Sequence, residues 1–258
     1  KKSIRIAGER GLKIKSDLGN GRFLSLQEIN EIGEPLYIIN HSNTQAAATT
    51  KTNQLYSGGS LGISLSGKSD TMSGRLAIWD GGNALATHQE FGGRIKLQEN
   101  LSTTDIHGTH VAGTMIASGE QPTAKGMAYA AKLDAYDWNS DEGEMAGAAA
   151  QGLLMSNHSY GLITGWAYGD FDGLGSSRWF WWGDESDTIC ADFGLYSQQA
   201  RDWDLIANNA PNYLIVKAAG NDRGQGPSAG TTHRVWSNSL GNWVNSTVTR
   251  QKDGGPLG

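Results

Sequence analysis

The chain has 258 residues with a net charge of −5, 36 glycines and one cysteine. This length predicts one α/β domain with a sizeable core, and glycine at about twice its usual share fits many tight strand-to-helix turns. No basic cluster supports a nucleic-acid partner, and no apolar run approaches the ~18 residues of a membrane span. Cys190 is alone, so an internal disulfide is excluded.

Strands alternate with helices along most of the chain. Residues 1–60 are polar and are interpreted as an N-terminal extension or propeptide remnant, followed by the main domain at 61–258. The predicted strands are 75–80, 132–137, 153–159 and 213–218, and the predicted helices are 107–118, 142–151 and 193–208. Such alternation predicts an α/β fold with a mainly parallel sheet and right-handed crossovers. Residues after about 224 are expected to include solvent-facing loop, with no strand or helix closing the sequence, and the sheet is expected to have an open edge or to be completed by another polypeptide.

Four motifs follow one another in this framework. A buried strand runs into Asp80 and a glycine turn, as at the carboxyl edge of a parallel sheet. His107 opens a helix with the sequence His-Gly-Thr-His-Val-Ala-Gly-Thr, and residues 157–161 read Asn-His-Ser-Tyr-Gly. The strand at 213–218 then runs through Ala-Ala-Gly into Asn221.

These motifs, in this order, resemble those of the subtilisin-like serine peptidases over roughly residues 74–224. The resemblance implies a three-layer α/β fold, with helices on both faces of a mainly parallel twisted sheet. It also implies that His107 is a general base, that Asp80 orients its ring, and that Asn221 donates to an oxyanion. Gly81 departs from the family, which usually has Ser or Thr after the aspartate.

The resemblance extends to substrate binding and to the cellular location. It implies that the polypeptide substrate is bound by Ser159, Tyr160, Gly161, Ala218, Ala219 and Gly220. It further implies an extracellular bacterial enzyme. No cofactor and no metal ligands are predicted, and His88, His110 and His158 are interpreted as structural.

The nucleophile serine of the family stands in a Gly-Thr-Ser motif after the asparagine. Gly-Thr occurs here at residues 108, 113 and 230, and Ser never follows it. We therefore expect the chain to end before that serine and to be inactive alone, with the remaining C-terminal part of the protease as a partner, present as a separate chain. Ser159 has a neighbouring histidine but lacks the first glycine of a nucleophile elbow. The alternative function is a catalytically inactive subtilisin-like binding or regulatory module, against which the intact Asp, His and Asn argue.

Residues 165–190 are the part of this region least like the family. Four tryptophans, Trp166, Trp179, Trp181 and Trp182, stand there among acidic residues. We interpret them as the local core of an insertion rather than as a flap over substrate, because large aromatic side chains mostly pack. Residues 170–175 (Asp-Phe-Asp-Gly-Leu-Gly) faintly resemble a calcium loop but lack its spacing and closing glutamate. Calcium therefore stays the weaker alternative to an acidic turn.

Overall fold

The structure is a computed structural model that describes residues 2–19, 22–29, 35–41 and 43–253. The helices are α1 (Lys2–Glu9), α2 (Asn43–Thr49), α3 (Ile106–Ile116), α4 (Asp141–Ala150) and α5 (Gln198–Asn209). The strands are β1 (Lys15–Gly19), β2 (Arg22–Ile29), β3 (Pro35–His41), β4 (Leu76–Asp80), β5 (Ile95–Leu97), β6 (Leu133–Asp137), β7 (Met155–His158), β8 (Trp166–Gly169), β9 (Arg178–Trp181), β10 (Leu214–Lys217), β11 (His233–Ser237) and β12 (Asn242–Ser246). Among the described residues, no helix combines the length and hydrophobicity that a bilayer crossing requires.

The described residues form two compact units. The first contains the residues up to Asn157 together with Asn212–Leu214, and the second contains His158–Pro211 and the residues from Ile215 onward. The first unit runs through residue 60 without interruption. The division at residue 60 into an extension and a main domain stays a prediction.

A five-stranded sheet with the order β10-β7-β4-β6-β5 confirms the predicted α/β fold. Strand β6 pairs in parallel with β4 on one side and with β5 on the other. Each predicted strand and helix appears within a few residues of its expected bounds, although α5 begins at Gln198 rather than at residue 193. The short strand β5 was not predicted, because three residues carry too little periodicity to be recognised.

The core of the first unit lies where α3 packs near this sheet. Ile78 of β4 and Leu133 of β6 are each 1% exposed, and Ala112 and Ile116 of α3 are fully buried in the same cluster. Ala112 is one of the small residues of α3, and its short side chain allows a close approach between the helix and the strands. Burial of β4 thus follows directly from its sequence, Leu-Ala-Ile-Trp-Asp.

Residues before 60 contain more regular structure than their polar composition indicated. Strands β1, β2 and β3 form an antiparallel sheet with β2 in the centre. Nearer residue 60, the hydroxyl of Tyr56 donates to the carbonyls of Gly126 and Met127, at 3.3 and 3.0 Å. The side chain of Asn43 donates to the carbonyl of Ala124 at 2.9 Å. These bonds tie α2 and the turn after it to the body of the first unit.

The second unit has a sheet of its own with the order β12-β11-β9-β8. Strand β9 pairs antiparallel with β8 and in parallel with β11, and β12 completes a hairpin with β11. Residues after 224 therefore contain two strands that the sequence did not predict, in addition to the expected loop. Residues 233–237 alternate between more and less buried positions, and Val235 is fully buried. The strand reads His-Arg-Val-Trp-Ser, in which valine is the one aliphatic residue, and this conceals a short strand from a reading of composition.

Two aromatic residues of the 165–190 segment form the core of the second unit, as interpreted. Trp166 and Trp181 are 3% and 1% exposed and pack with Cys190 and Val235. The acidic turn is less solvated than expected, because Asp172 is bonded to two arginines. Arg178 lies 3.4 Å and Arg234 2.9 Å from its carboxylate.

Candidate active site

Asp80 occupies the carboxyl end of a strand in the interior of the five-stranded sheet. Asp80 is 2% exposed, and its Oδ1 accepts a hydrogen bond from the backbone N–H of Gly81 at 2.8 Å. The other oxygen, Oδ2, is buried and has no hydrogen-bond partner among the described residues. A buried carboxylate with spare acceptor capacity is costly unless other groups use its charge.

His107 uses that charge. Its Nδ1 lies 2.7 Å from Oδ1 of Asp80, and the imidazole side chain is 57% exposed whereas the carboxylate side chain is 3% exposed. An Nδ1–H that donates to the carboxylate leaves Nε2 as the proton acceptor of the neutral ring. The pair therefore presents an oriented base to solvent and keeps the acid away from it. The sequence predicted this contact between residues 27 positions apart.

The N-terminus of α3 is fixed to the loop that follows Asp80. Asp105 caps the helix, with Oδ2 accepting from the backbone N–H of Gly108 at 2.6 Å. The backbone N–H of Asp105 in turn donates to the carbonyl of Asn83 at 2.8 Å, and Thr109 Oγ1 accepts from the N–H of Leu85 at 2.8 Å. These bonds fix the backbone position of His107.

Gly108 explains why a glycine follows the histidine. A Cβ at this position would lie 3.2 Å from the Cβ of Asp80 and 3.2 Å from the carbonyl oxygen of Gly82. Both atoms belong to the buried end of β4 or to the turn after it, where little relaxation is available. A side chain at residue 108 would therefore require its neighbours to shift by a few tenths of an ångström, whereas glycine lets the helix bring His107 to Asp80 without that adjustment.

Asp105 is the functional neighbour that sequence reasoning missed. Oxygens of Asp80 and Asp105 and a ring nitrogen of His107 all lie within 4.8 Å of one another, close enough to hold a metal ion. Two of these groups already have structural partners, the His107 ring for Asp80 and the helix N-terminus for Asp105. The Asp-x-x-Gly spacing before a helix is the signal that could have identified the cap.

Asn221 and the six residues predicted to bind substrate belong to the second unit. The structure joins the two segments that carry those six, because the N–H of Ala218 donates to the carbonyl of His158 at 3.0 Å. Gly220 has φ of 91°, a conformation that favours glycine. Asn221 follows in a bend and is exposed, as are Ala218, Ala219 and Gly220. Ser159 and Tyr160 are partly buried and Gly161 is exposed.

His158 supports this arrangement as a neutral residue. It is fully buried, its Nδ1 lies 2.8 Å from the hydroxyl of Tyr160, and its ring meets the ring of Trp203 edge-on. Burial, reinforced by the charge of Lys217, lowers the pKa of His158 to about 3. The Lys217 ammonium lies 3.8 Å above the ring of Tyr160. These contacts fit the prediction that His158 is structural.

The chain thus combines a parallel α/β fold with a histidine that a buried acid orients at the end of a strand. These features define the class of protein with which the chain can be compared. The family model of the subtilases, peptidase family S8, matches residues 88–249, so this chain belongs to the subtilase family. Membership gives it a function of the serine-peptidase type. The match includes His107 and Asn221 and begins eight residues after Asp80. Comparison with curated proteins and with solved structures gives no match.

Proposed function

We propose that this chain carries the acid and the base of a serine endopeptidase that cleaves polypeptides through an Asp-His-Ser triad. The observation that carries the proposal is the 2.7 Å bond between buried Asp80 and exposed His107. An inactive scaffold would have no need for a buried carboxylate beside an accessible imidazole, because burying an acid costs free energy that the fold must recover elsewhere.

The proposed mechanism follows from the tautomer that Asp80 imposes. With Nδ1–H directed to the carboxylate, Nε2 of His107 accepts the proton of the attacking serine hydroxyl and later returns it to the leaving amine. Asp80 stabilises the imidazolium formed between these steps and does not itself take the proton. The side-chain amide of Asn221 is assigned to the oxyanion of the tetrahedral intermediate. The segments 159–161 and 218–220 are assigned to the substrate backbone.

The nucleophile is assigned to polypeptide that is not among these 258 residues. The support is the sequence itself, in which none of the three Gly-Thr pairs is followed by Ser. The serine then comes from a continuation of the same polypeptide or from a separate chain that binds this one. The same proposal places the enzyme outside the cell, as the resemblance to secreted bacterial peptidases implies.

Labelling with a fluorophosphonate, together with peptide hydrolysis, tests this function. We expect the complete gene product to be labelled and active, and the 258-residue chain alone to be neither. His107→Ala in the complete protein should lower kcat by about 10⁴-fold or more, because the base is lost. His110→Ala is the matched control, since His110 lies exposed on the same helix and has no part in the proposed mechanism; the activity of this variant should stay within about twofold of the parent, as expected of an exposed surface change.

Three outcomes would contradict the proposal. Labelling of the isolated chain at Ser159 would place the nucleophile within it. Full activity of His107→Ala would remove His107 from the mechanism. A complete gene product that is neither labelled nor active would favour the inactive binding module instead.

A further inference from the structure

A pocket of about 480 Å³ lies within the second unit, in the size range of ligand-binding sites. It is enclosed by the end of β9, by the segment that follows β9 and by the β11–β12 hairpin. The lining residues are Trp181, Trp182, Gly183, Asp184, Asp187, Ala191, Asp192, Trp236, Asn238 and Trp243. None of them has a place in the proposed peptidase mechanism.

Three lining tryptophans form one packed group. The ring of Trp243 meets the rings of Trp182 and Trp236 edge-on, with centroid distances of 5.3 and 5.6 Å. Trp236 is nevertheless 42% exposed at the pocket. A large indole that is both held by neighbours and open to solvent provides a firm aromatic surface for a ligand, and indole is the aromatic ring that binds cations best.

The charge of the lining has one sign. Asp184, Asp187 and Asp192 contribute carboxylates, and no lysine or arginine lines the pocket. Buried Arg250 lies close enough to Asp187 for attraction between their charges. Asp184 and Asp192 form no ion pair with any residue that the structure describes. The pocket is thus complementary to a cation.

The protein already binds one guanidinium group at this aromatic cluster. Cζ of Arg250 lies 5.4 Å from the ring centre of Trp181, and its Nη2 donates to the carbonyl of Glu185 at 2.7 Å. A guanidinium is planar, so it stacks on an indole and still donates in its own plane to carboxylates. Lysine offers only a compact, strongly hydrated charge. Stacking combined with carboxylates therefore favours arginine as the ligand.

We propose that this pocket binds the side chain of an arginine residue in a polypeptide. The guanidinium stacks on the exposed ring of Trp236 and pairs with Asp184 and Asp192 at the acidic side of the pocket. The inference concerns binding alone and holds whether or not the chain cleaves peptides.

Two peptides that differ by one atom type test the pocket. N-acetyl-Gly-Arg-Gly-amide carries the guanidinium, and the same peptide with citrulline carries a neutral ureido group of nearly equal shape. We expect titration of the ¹⁵N-labelled chain to shift indole N–H resonances with the arginine peptide. The citrulline peptide should bind at least about tenfold more weakly, because it loses the free energy of a desolvated cation–π contact and of a charge-assisted pair with a carboxylate. Raising the salt concentration should weaken the binding of the arginine peptide and leave the binding of the citrulline peptide unchanged.

Variants locate the binding. Trp236→Leu removes the ring but keeps an apolar side chain, and the double variant Asp184→Asn with Asp192→Asn removes two charges without changing shape. Each should weaken arginine binding by about fivefold or more. Asp202→Asn is the control, because Asp202 is an acid of α5 in the same unit and bonds to Gln198 at 2.8 Å, outside the pocket; binding should be unchanged.

The proposal is overturned if citrulline and arginine peptides bind equally, if neither binds, or if the control weakens binding as much as the pocket variants. It is also overturned if a neutral oligosaccharide such as cellotetraose binds here and the arginine peptide does not. Should Trp236→Leu fail to fold, the paired asparagine variant still decides the outcome, since both aspartates are exposed.

Discussion

Glu90 and Glu99 show how residue environment sets the charge of a carboxyl group in the first unit. Backbone N–H groups of residues 119–121 donate to Glu90 at 2.7 to 3.1 Å, and they lower its pKa although burial opposes them. Glu99 receives one backbone N–H, from Asp137 at 3.1 Å. Burial raises the pKa of Glu99 to about 7, and the neighbouring carboxyl of Glu144 adds to the shift. The two residues therefore make opposite contributions to the pH dependence of stability.

The parent protein should lose stability as the pH rises and Glu99 ionises, and the Glu99→Gln variant should not show this loss. The folded state holds the proton of Glu99 more tightly than the unfolded state, so its stabilising contribution is complete below about pH 4.5 and is lost as the pH rises through about 7. We expect the variant to be about 1–2 kcal/mol more stable than the parent at pH 8, and no more stable at pH 4. Urea unfolding at several pH values measures this.

Glu90→Gln is the matched comparison. Its carboxylate is favoured in the folded state, so its contribution is present above the unfolded pKa and is lost as the pH falls through the lowered folded pKa. The glutamine variant should therefore be destabilised at pH 8. Equal pH profiles for the two variants would show that the environments of the two carboxyls are not as different as described.

At the scale of elements, the site depends on how closely α3 approaches the end of β4. The Asp105 cap, the Thr109 hydroxyl and the glycine at residue 108 all act on the first turn of the helix. The same helix carries Gly113, which has no atom within 4 Å of the position its Cβ would take. One helix thus contains a glycine that is tightly packed against the end of β4, Gly108, and a glycine with open space beside it, Gly113.

Gly108→Ala should disturb the candidate site, and Gly113→Ala should not. The added methyl group at residue 108 pushes the helix from Asp80, which should cost about 1–3 kcal/mol of stability and weaken the Nδ1–H bond of His107. At residue 113, alanine should be neutral or stabilise by up to about 1 kcal/mol, because it favours the helix. Thermal unfolding and the imidazole N–H resonance of His107 are the measurements. A stable Gly108→Ala variant that keeps this resonance would contradict the account of the glycine.

At the scale of the whole molecule, each unit has its own hydrophobic cluster. Ile78 and Ile116 belong to the cluster of the first unit, and Trp166 and Trp181 belong to that of the second. Because the two clusters are separate, each unit can unfold locally and expose only the surface that its own cluster buries.

Trp181→Ala should therefore destabilise the second unit selectively. The loss of a fully buried indole costs about 3–5 kcal/mol. Hydrogen exchange should become faster in β8, β9, β11 and β12 and change little in β4 and β6. Leu240→Ala is the control, since Leu240 is 71% exposed. Faster exchange throughout the chain would show instead that the two units unfold as one.

The sequence by itself determined the family, the parallel α/β sheet and the partnership of Asp80 with His107. These features depend on local patterns, such as an apolar strand that ends in an acid and a histidine-glycine helix start, which short segments carry in full. The positions of the main strands followed for the same reason.

Only the tertiary structure decided the rest. Arg234 lies 62 positions from its partner Asp172, and the tryptophan-lined pocket brings together Trp181 and Trp243, which are also 62 positions apart, so no local pattern contains these contacts. The same holds for the shifted pKa values of Glu99 and His158, which arise from burial and from neighbours such as Glu144 and Lys217 that are distant in sequence. Burial and charge pairing are properties of the packed chain, because they depend on which surfaces meet after folding.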